Sequence, residues 1–294
     1  MVLGYHSISS TTNDPFDLAV SPGQFEAHVE MLARDFEIVA ADDARTAARS
    51  ARVIVTFDDG YADNLEVAAP ILAKAGFPAT FFVNAPRSER EMWWDEIGHA
   101  LAGAVEPEFL DLDVGRSVVL DVRTEPARAQ AVKNLGAHLE TMPSAKIEAL
   151  LGDLYSQLGF EPQPCLRHRR LQDHEVVELS RLGSFEIGCH TQNHVALACI
   201  DHVEAQAEIE ASRDHVTALT GAAPRSFAYP FGSFGYTLTS DHARMVEEAG
   251  FRQAFTTERQ DVNRWFNPYL IPRYLVGPVD AEALRVEIAQ GMGL

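Results

Sequence analysis

Cysteine is scarce in this 294-residue chain: Cys165, Cys189 and Cys199 are odd in number and form no CxxC pair. That excludes a disulfide framework and a thiolate zinc site, and it fits a reducing compartment. Basic residues are also few, 24 Lys and Arg against 43 Asp and Glu, which leaves a net charge of −19. Such a chain repels a nucleic-acid backbone. Its one dense basic run, Arg167-His168-Arg169-Arg170, is short and reads as a solvated stretch ahead of a helix. No segment approaches the roughly 20 apolar residues of a membrane span. The opening Met1-Val2-Leu3-Gly4-Tyr5-His6 has neither a basic n-region nor a long apolar h-region, so no signal peptide is read and a cytoplasmic location is expected, with a trimmed exported form as the alternative. What remains, 46% hydrophobic and 23% charged residues, is the composition of a globular protein with a sizeable core.

The apolar pattern switches repeatedly between a period of 2 and a period of 3.6. Strands are expected at Val2–Tyr5, Phe36–Ala40, Val53–Phe57, Thr80–Val83, Phe185–Gly188, Ser226–Tyr229, Gln253–Thr256 and Ile271–Val276. Between them fall helices over Ser21–Arg34, a stretch through Ile71 and Leu72 to a C-cap at Gly76, Asp201–Thr220, Ser240–Ala249 and Ala281–Ala289. Strands alternating with helices point to βα units, a parallel sheet and an incomplete (β/α) barrel. Residues 87–170 break the rhythm with helical stretches at Trp94–Ala102, Glu125–Glu140 and Ser144–Leu158. They read as a mostly helical insertion on a βα loop, the barrel being residues 1–86 and 171–294.

Thr56-Phe57-Asp58-Asp59-Gly60 places two carboxylates where a buried strand emerges, the end of an α/β sheet at which catalytic groups collect. Side chains of neighbouring strand residues diverge, but a turn permitted by Gly60 lets both face one pocket. Taken alone the motif could equally be a solvated Asp-Gly turn. In Gly188-Cys189-His190-Thr191-Gln192-Asn193-His194 two histidines follow another short strand, four positions apart, so that a helical turn or tight loop puts both imidazoles on one side. One Asp and two His from a common array can converge as a facial ligand set with open positions. That suits zinc or another borderline divalent ion better than calcium, which prefers oxygen ligands.

With Phe227-Ala228-Tyr229-Pro230-Phe231-Gly232, these motifs resemble the polysaccharide deacetylase family, carbohydrate esterase family four, over residues 1–86 and 171–294. The resemblance implies a distorted (β/α)7 barrel, one divalent metal ion and hydrolysis of N-acetyl groups on amino sugars. Zinc is the first expectation, with cobalt, nickel or iron as alternatives. By the match at TFDDG, Asp58 would be the general base and Asp59 a metal ligand; by the match at HTxxH, His190 and His194 would be the other ligands. Tyr229, Pro230 and Phe231 of the third motif, with Trp94 of the Trp93-Trp94-Asp95 run, are expected to meet the substrate, one tryptophan plugging the insertion onto the barrel and the other offering a sugar-stacking face, against the alternative that both simply pack.

The chain departs from the family pattern in two places. Ala228 stands where many members have an arginine that tunes the base, and no Leu-x-x-His segment lies near Ile271-Pro272-Arg273-Tyr274 to supply an acid. The sequence is closer to a branch with Tyr-His at its first strand, as in exopolysaccharide N-deacetylases. His6 is therefore expected to protonate the leaving amine and Arg273 to pair with Asp58, against the alternatives of a packing histidine and a structural ion pair. The leading functional expectation is N-deacetylation of a glycan or glycan precursor. The same site could instead cut another C–N bond in a small metabolite, or the chain could be a non-catalytic carbohydrate-binding module. The insertion favours an extended substrate, and the complete Asp-Asp-His-His set favours catalysis.

Overall fold

In the computed structural model, which describes residues 1–11, 14–43, 51–84, 91–103, 106–162, 168–182, 184–259 and 267–293, strands and helices alternate from the start of the chain. β1 (Val2–Tyr5) leads to α1 (Pro22–Asp35), whose first turn is set by Ser21: its hydroxyl accepts from the Gln24 N–H while the Gln24 side chain accepts from the Ser21 N–H. A two-residue β2 (Glu37–Ile38) precedes β3 (Arg52–Phe57). A π-helical stretch, Asn64–Ala68, runs into α2 (Ala69–Ala75), which Gly76 stops in the left-handed conformation before β4 (Ala79–Val83). The segment read from the sequence as an insertion follows, with α3 (Trp93–Ala102), a hairpin of β5 (Phe109–Asp113) and β6 (Ser117–Asp121), α4 (Glu125–Leu139) and α5 (Ser144–Leu158). The βα rhythm then resumes through α6 (Asp173–Ser180), β7 (Phe185–Cys189), α7 (His202–Thr220), β8 (Ser226–Ala228), α8 (Ser240–Glu248), β9 (Gln253–Phe255), β10 (Tyr274–Leu275) and α9 (Ala281–Met292).

The strands pair in parallel in the order β10-β1-β3-β4-β7-β8-β9, and β2 pairs beside the start of β3. Ile271, just ahead of β10, pairs with Phe255 at the opposite end of that order: its N–H donates to Ala254 O at 2.9 Å and its carbonyl accepts from Thr256 N–H at 2.8 Å. One short segment thus reaches both edges and draws the sheet into the distorted (β/α)7 barrel. Alternation along each strand separates two faces. Val53, Val55 and Phe57 of β3 join Phe25, Leu72 and Phe81 in the core beneath the outer helices, whereas Ile54 packs inside the curl with Val2, Phe82, Ala228 and Phe255.

The insertion has its own apolar core, formed by Ile97, Leu101, Leu110, Leu120, Leu135 and Leu154 among others. Phe16, on the β1–α1 connection, packs against it, and its ring occupies the place of a side chain at Gly136, where an added Cβ would stand 2.6 Å from Phe16 Cζ.

Several elements differ from the sequence-based expectation. The strands at 36–40 and 271–276 shorten to Glu37–Ile38 and Tyr274–Leu275; Pro272, with no N–H to give, interrupts the latter. The β5–β6 hairpin was missed. The basic run is not a solvated stretch: His168 is buried, and Arg169 bridges Glu66 and Glu175. Arg167 and Cys165 lie outside the described residues. Among the described residues no helix is long and apolar enough to cross a membrane.

Candidate metal and catalytic site

The inward alternation of β3 continues past its last residue, from Ile54 and Thr56 to Asp58. Asp58 is buried, and its two carboxylate oxygens accept from Nη1 and Nη2 of Arg273, each at 2.7 Å. Arg273 is itself fully buried; Nη1 also donates to Thr56 Oγ1 at 3.1 Å and Nε to Thr256 O at 3.2 Å. A bidentate pair of this kind fixes direction as well as charge. Asp59 then takes a left-handed φ of 69° and Gly60 one of 65°, with Val83 3.2 Å from where a Gly60 Cβ would sit. That turn brings the Asp59 carboxylate beside the pocket instead of letting it diverge.

After β7, His190 to His194 form a tight loop in which Thr191 and His194 both adopt positive φ, 58° and 53°. Asn84 at the end of β4 donates to the His190 carbonyl, and Glu208 on α7 accepts from the backbone N–H and side chain of Asn193. His190 Nδ1 lies 2.8 Å from Ala228 O. A carbonyl can only accept, so Nδ1 carries the proton and the Nε2 lone pair is left free, the arrangement of a ligating histidine. Nε2 of His190 and of His194 lie 3.3 and 3.2 Å from Asp59 Oδ1, yet Oδ1 accepts no well-aligned hydrogen bond from any described residue. Ligand atoms of three buried residues lie within 4.8 Å of one another, and the Asp59 oxygen is without a hydrogen-bond partner among the described residues, an arrangement that fits a cation. Ligand atoms bonded at about 2.0–2.2 Å to one tetrahedral ion stand about 3.3–3.6 Å apart, close to the spacing here.

The charges around the site point the same way. Burial pushes the Asp59 carboxyl up, but His194 and His190 outweigh it and hold the group well below the usual carboxylate range. Burial lowers His190, but Asp58 and Asp59 more than reverse this and shift the group up, the mark of a negative field at that ring. His194 is dominated by burial and shifts down. Two carboxylates facing two imidazoles make a buried site that attracts positive charge.

These groups open onto a cavity of about 620 Å³, a size typical of small-ligand pockets. His6, Asp58, Asp59, His190 and His194 line it from the strand ends, with Phe231, Trp93 and Trp94 at the side. Phe231 is also left-handed at φ 60°, its ring 4.8 Å from that of His194. Both tryptophans therefore reach the pocket; Trp94 is the more buried, with its Nε1–H tied to the Tyr61 hydroxyl. Tyr229 and Pro230 are placed elsewhere than expected: Tyr229 is buried on Phe227 with its hydroxyl donating to Tyr269 O at 3.0 Å, Pro230 is buried, and neither lines the cavity. Period 2 explains Tyr229, since it follows Ala228, which faces the interior of the curl. The sequence reading missed Tyr61, and it missed the far wall of the cavity, formed by Phe16 to Leu18, by Lys133 and Gly136 of α4 and by Glu140 just after it. Tyr61 had a signal, its place directly after Asp58-Asp59-Gly60; the α4 wall had none.

The polysaccharide deacetylase family model matches residues 45–108 and 142–254, more than half of the chain. YxkH of Bacillus subtilis (strain 168), provisionally named a polysaccharide deacetylase, is 35% identical over 91 residues, which span 28% of this chain and 30% of that relative. The structure of the Streptococcus pyogenes deacetylase PplD in complex with acetate matches with a TM-score of 0.61 at 17% identity, covering 98% of this chain and 96% of that one. IcaB from Ammonifex degensii matches with a TM-score of 0.60 at 18% identity, covering 98% and 96%. At such identities the structural likeness is one of fold.

Proposed function

Because the chain belongs to the polysaccharide deacetylase family, we propose that it is a metal-dependent hydrolase that removes N-acetyl groups from amino sugars of a polysaccharide or glycan precursor. The observation that carries this reading is the buried Asp58–Arg273 pair set beside three converging ligand atoms on one cavity wall. Asp59, His190 and His194 would hold the ion, zinc first, with cobalt, nickel or iron also suited to two imidazoles and a carboxylate. Bound there, it would polarise the acetyl carbonyl and make a water acidic enough to attack near neutral pH.

The remaining work falls to the chain. Asp58 is ionised, and Arg273 takes only part of its four-site acceptor capacity, so the carboxylate can still receive the proton of the attacking water. Arg273 holds that carboxylate in one orientation throughout. His6, across the same cavity, gives its proton to the amide nitrogen as the C–N bond breaks, and acetate and the free amine leave. Phe231, Trp93 and Trp94 line the side of the cavity, where they exclude bulk water and offer apolar surface to a sugar ring.

The test is acetate release from N-acetylated chitooligosaccharides by protein whose metal content has been measured by elemental analysis. Acetate in proportion to bound metal supports the reading. Ring opening of cyclic amides with no acetate from any glycan would replace it by hydrolysis of a small-metabolite amide, and glycan binding without turnover by a carbohydrate-binding role.

A further inference from the structure

His194 differs from His190 on the side turned away from Asp59. Its buried Nδ1 has no hydrogen-bond partner among the described residues, whereas Nδ1 of His190 is anchored on Ala228 O. Aromatic contact holds the ring instead. Trp94 meets it with ring centres 4.6 Å apart at 61°, and Phe231 meets it at 4.8 Å and 80°. Trp94 belongs to the first helix of the insertion, and its Nε1–H donates to the Tyr61 hydroxyl at 2.8 Å, which donates in turn to Asp95 Oδ2 at 2.8 Å. Tyr61 is buried and lies two residues after Asp59. The chain leaving the insertion grips the same turn from its backbone: Ala62 N–H donates to Arg169 O at 2.9 Å and Leu171 N–H to Gly60 O at 2.8 Å.

We propose that the insertion is a working part of the metal centre. Through Trp94, and through the hydrogen-bond chain from Trp94 to Tyr61 to Asp95, it sets the orientation of His194 and of the turn that carries Asp59. Trp94, Tyr61 and Asp95 are positioning residues, since each acts through a ligand. An imidazole with one unanchored nitrogen can turn about its side-chain torsions, and the packed indole edge supplies the restraint that a carbonyl supplies for His190. The inference rests on the metal-site reading above.

Cobalt(II) is the probe, because its visible d–d absorption reports ligand geometry independently of turnover. Full-length Tyr61→Phe and Trp94→Leu are titrated beside the unchanged protein and beside Tyr155→Phe, which removes a 2.6 Å bond from α5 to Glu96 of α3 that does not reach the ligands. Loss of an outer contact typically weakens metal affinity about 10–100-fold. Tyr61→Phe should fall at the lower end of that range and Trp94→Leu at the upper, both with an altered d–d spectrum and retained circular dichroism, while Tyr155→Phe matches the unchanged protein. Cobalt held within about twofold and with the same spectrum in both site variants would overturn the inference, as would equal weakening in Tyr155→Phe, which would trace the effect to general loosening of the insertion. If Trp94→Leu does not fold, Tyr61→Phe, which lacks a single oxygen, decides alone. Unchanged protein that takes up no cobalt would overturn the metal reading itself, a result distinct from intact binding that the variants leave unaltered.

Discussion

Replacing Arg273 by methionine keeps much of the side-chain bulk but withdraws the charge and both donors on which Asp58 rests. The Thr56 hydroxyl and the Thr256 carbonyl lose a partner as well. Removing one member of a buried ion pair costs about 3–5 kcal/mol, because the other is left charged and out of water. At about 2–4 °C of melting temperature per kcal/mol for a chain approaching this size, the expected loss is on the order of 10 °C. The pH dependence identifies the cause. In the native protein burial pushes the Asp58 carboxyl up, but Arg273 and then His190 outweigh it and hold the group below the usual range. A group depressed by folding contributes stability that is present above its unfolded pKa, about 3.9, and lost as pH falls through the folded value. Without Arg273 burial dominates, the folded pKa rises above the unfolded one, and the sign inverts: the ionised carboxylate is penalised at neutral pH and relieved by acid. The stability gap between native protein and Arg273→Met, measured by urea denaturation of metal-free samples, should be full at neutral pH and shrink as pH is lowered through the carboxylate range. Adding Asp58→Asn to Arg273→Met removes the stranded charge and should restore on the order of 2 kcal/mol at neutral pH. A gap below about 1 kcal/mol, or one indifferent to pH, or a double variant no more stable than Arg273→Met, would refute the reasoning.

Four shorter predictions follow from the same site. His194→Ala should abolish stoichiometric metal binding by elemental analysis; undiminished metal would remove His194 from the ligand set. Asp58→Asn should keep the metal and lose on the order of 10²–10⁴-fold in acetate release, and near-normal turnover would end its role as base. His6→Ala should lower kcat at normal metal content, with a smaller deficit on 4-nitroanilides, whose electron-poor nitrogen needs less help from an acid; an equal deficit on every substrate would point to a packing role. Gly60→Ala places a side chain at φ 65° against Val83 and should cost about 1–2 kcal/mol in thermal unfolding, so an unchanged midpoint would argue against the strained turn.

Most of the barrel could be read in the sequence because its strands are short and mostly apolar and several of its helices stop at a glycine. Gly76 and Gly221 stop α2 and α7 in the left-handed conformation, as their positions suggested. The β5–β6 hairpin also carried a signal, the alternation of exposed Phe109, Asp111 and Asp113 with buried Leu110 and Leu112, hidden by the long helical patterns around it. The two motif pairs Asp58-Asp59 and His190/His194 were legible because each is local. The rest of the pocket is not local: Arg273 reaches Asp58 from 215 positions away, and Phe16 meets Gly136 only because the insertion folds back over the strand ends. Tyr229 shows the opposite error, in which nearness to a motif in sequence was taken for nearness in space, although one step along a strand reverses the direction of a side chain.

The segment from Ile271 to Leu275 that reaches both sheet edges also sets an order of events during folding. β1 and β3 leave the ribosome early and can pair at once, but the partner of β1 on its other side, and the guanidinium that neutralises Asp58, arrive only when residues near the end of the chain dock. At roughly 5–20 residues per second of synthesis, that contact trails the first strand by tens of seconds. Until then the nascent barrel is an open sheet with a carboxylate facing its interior, and closure of so long a loop is slow relative to local pairing. Closing the barrel and neutralising Asp58 are therefore one step, and the proposed hydrolysis cannot precede it. Activity in chains truncated before Ile271 would contradict that order.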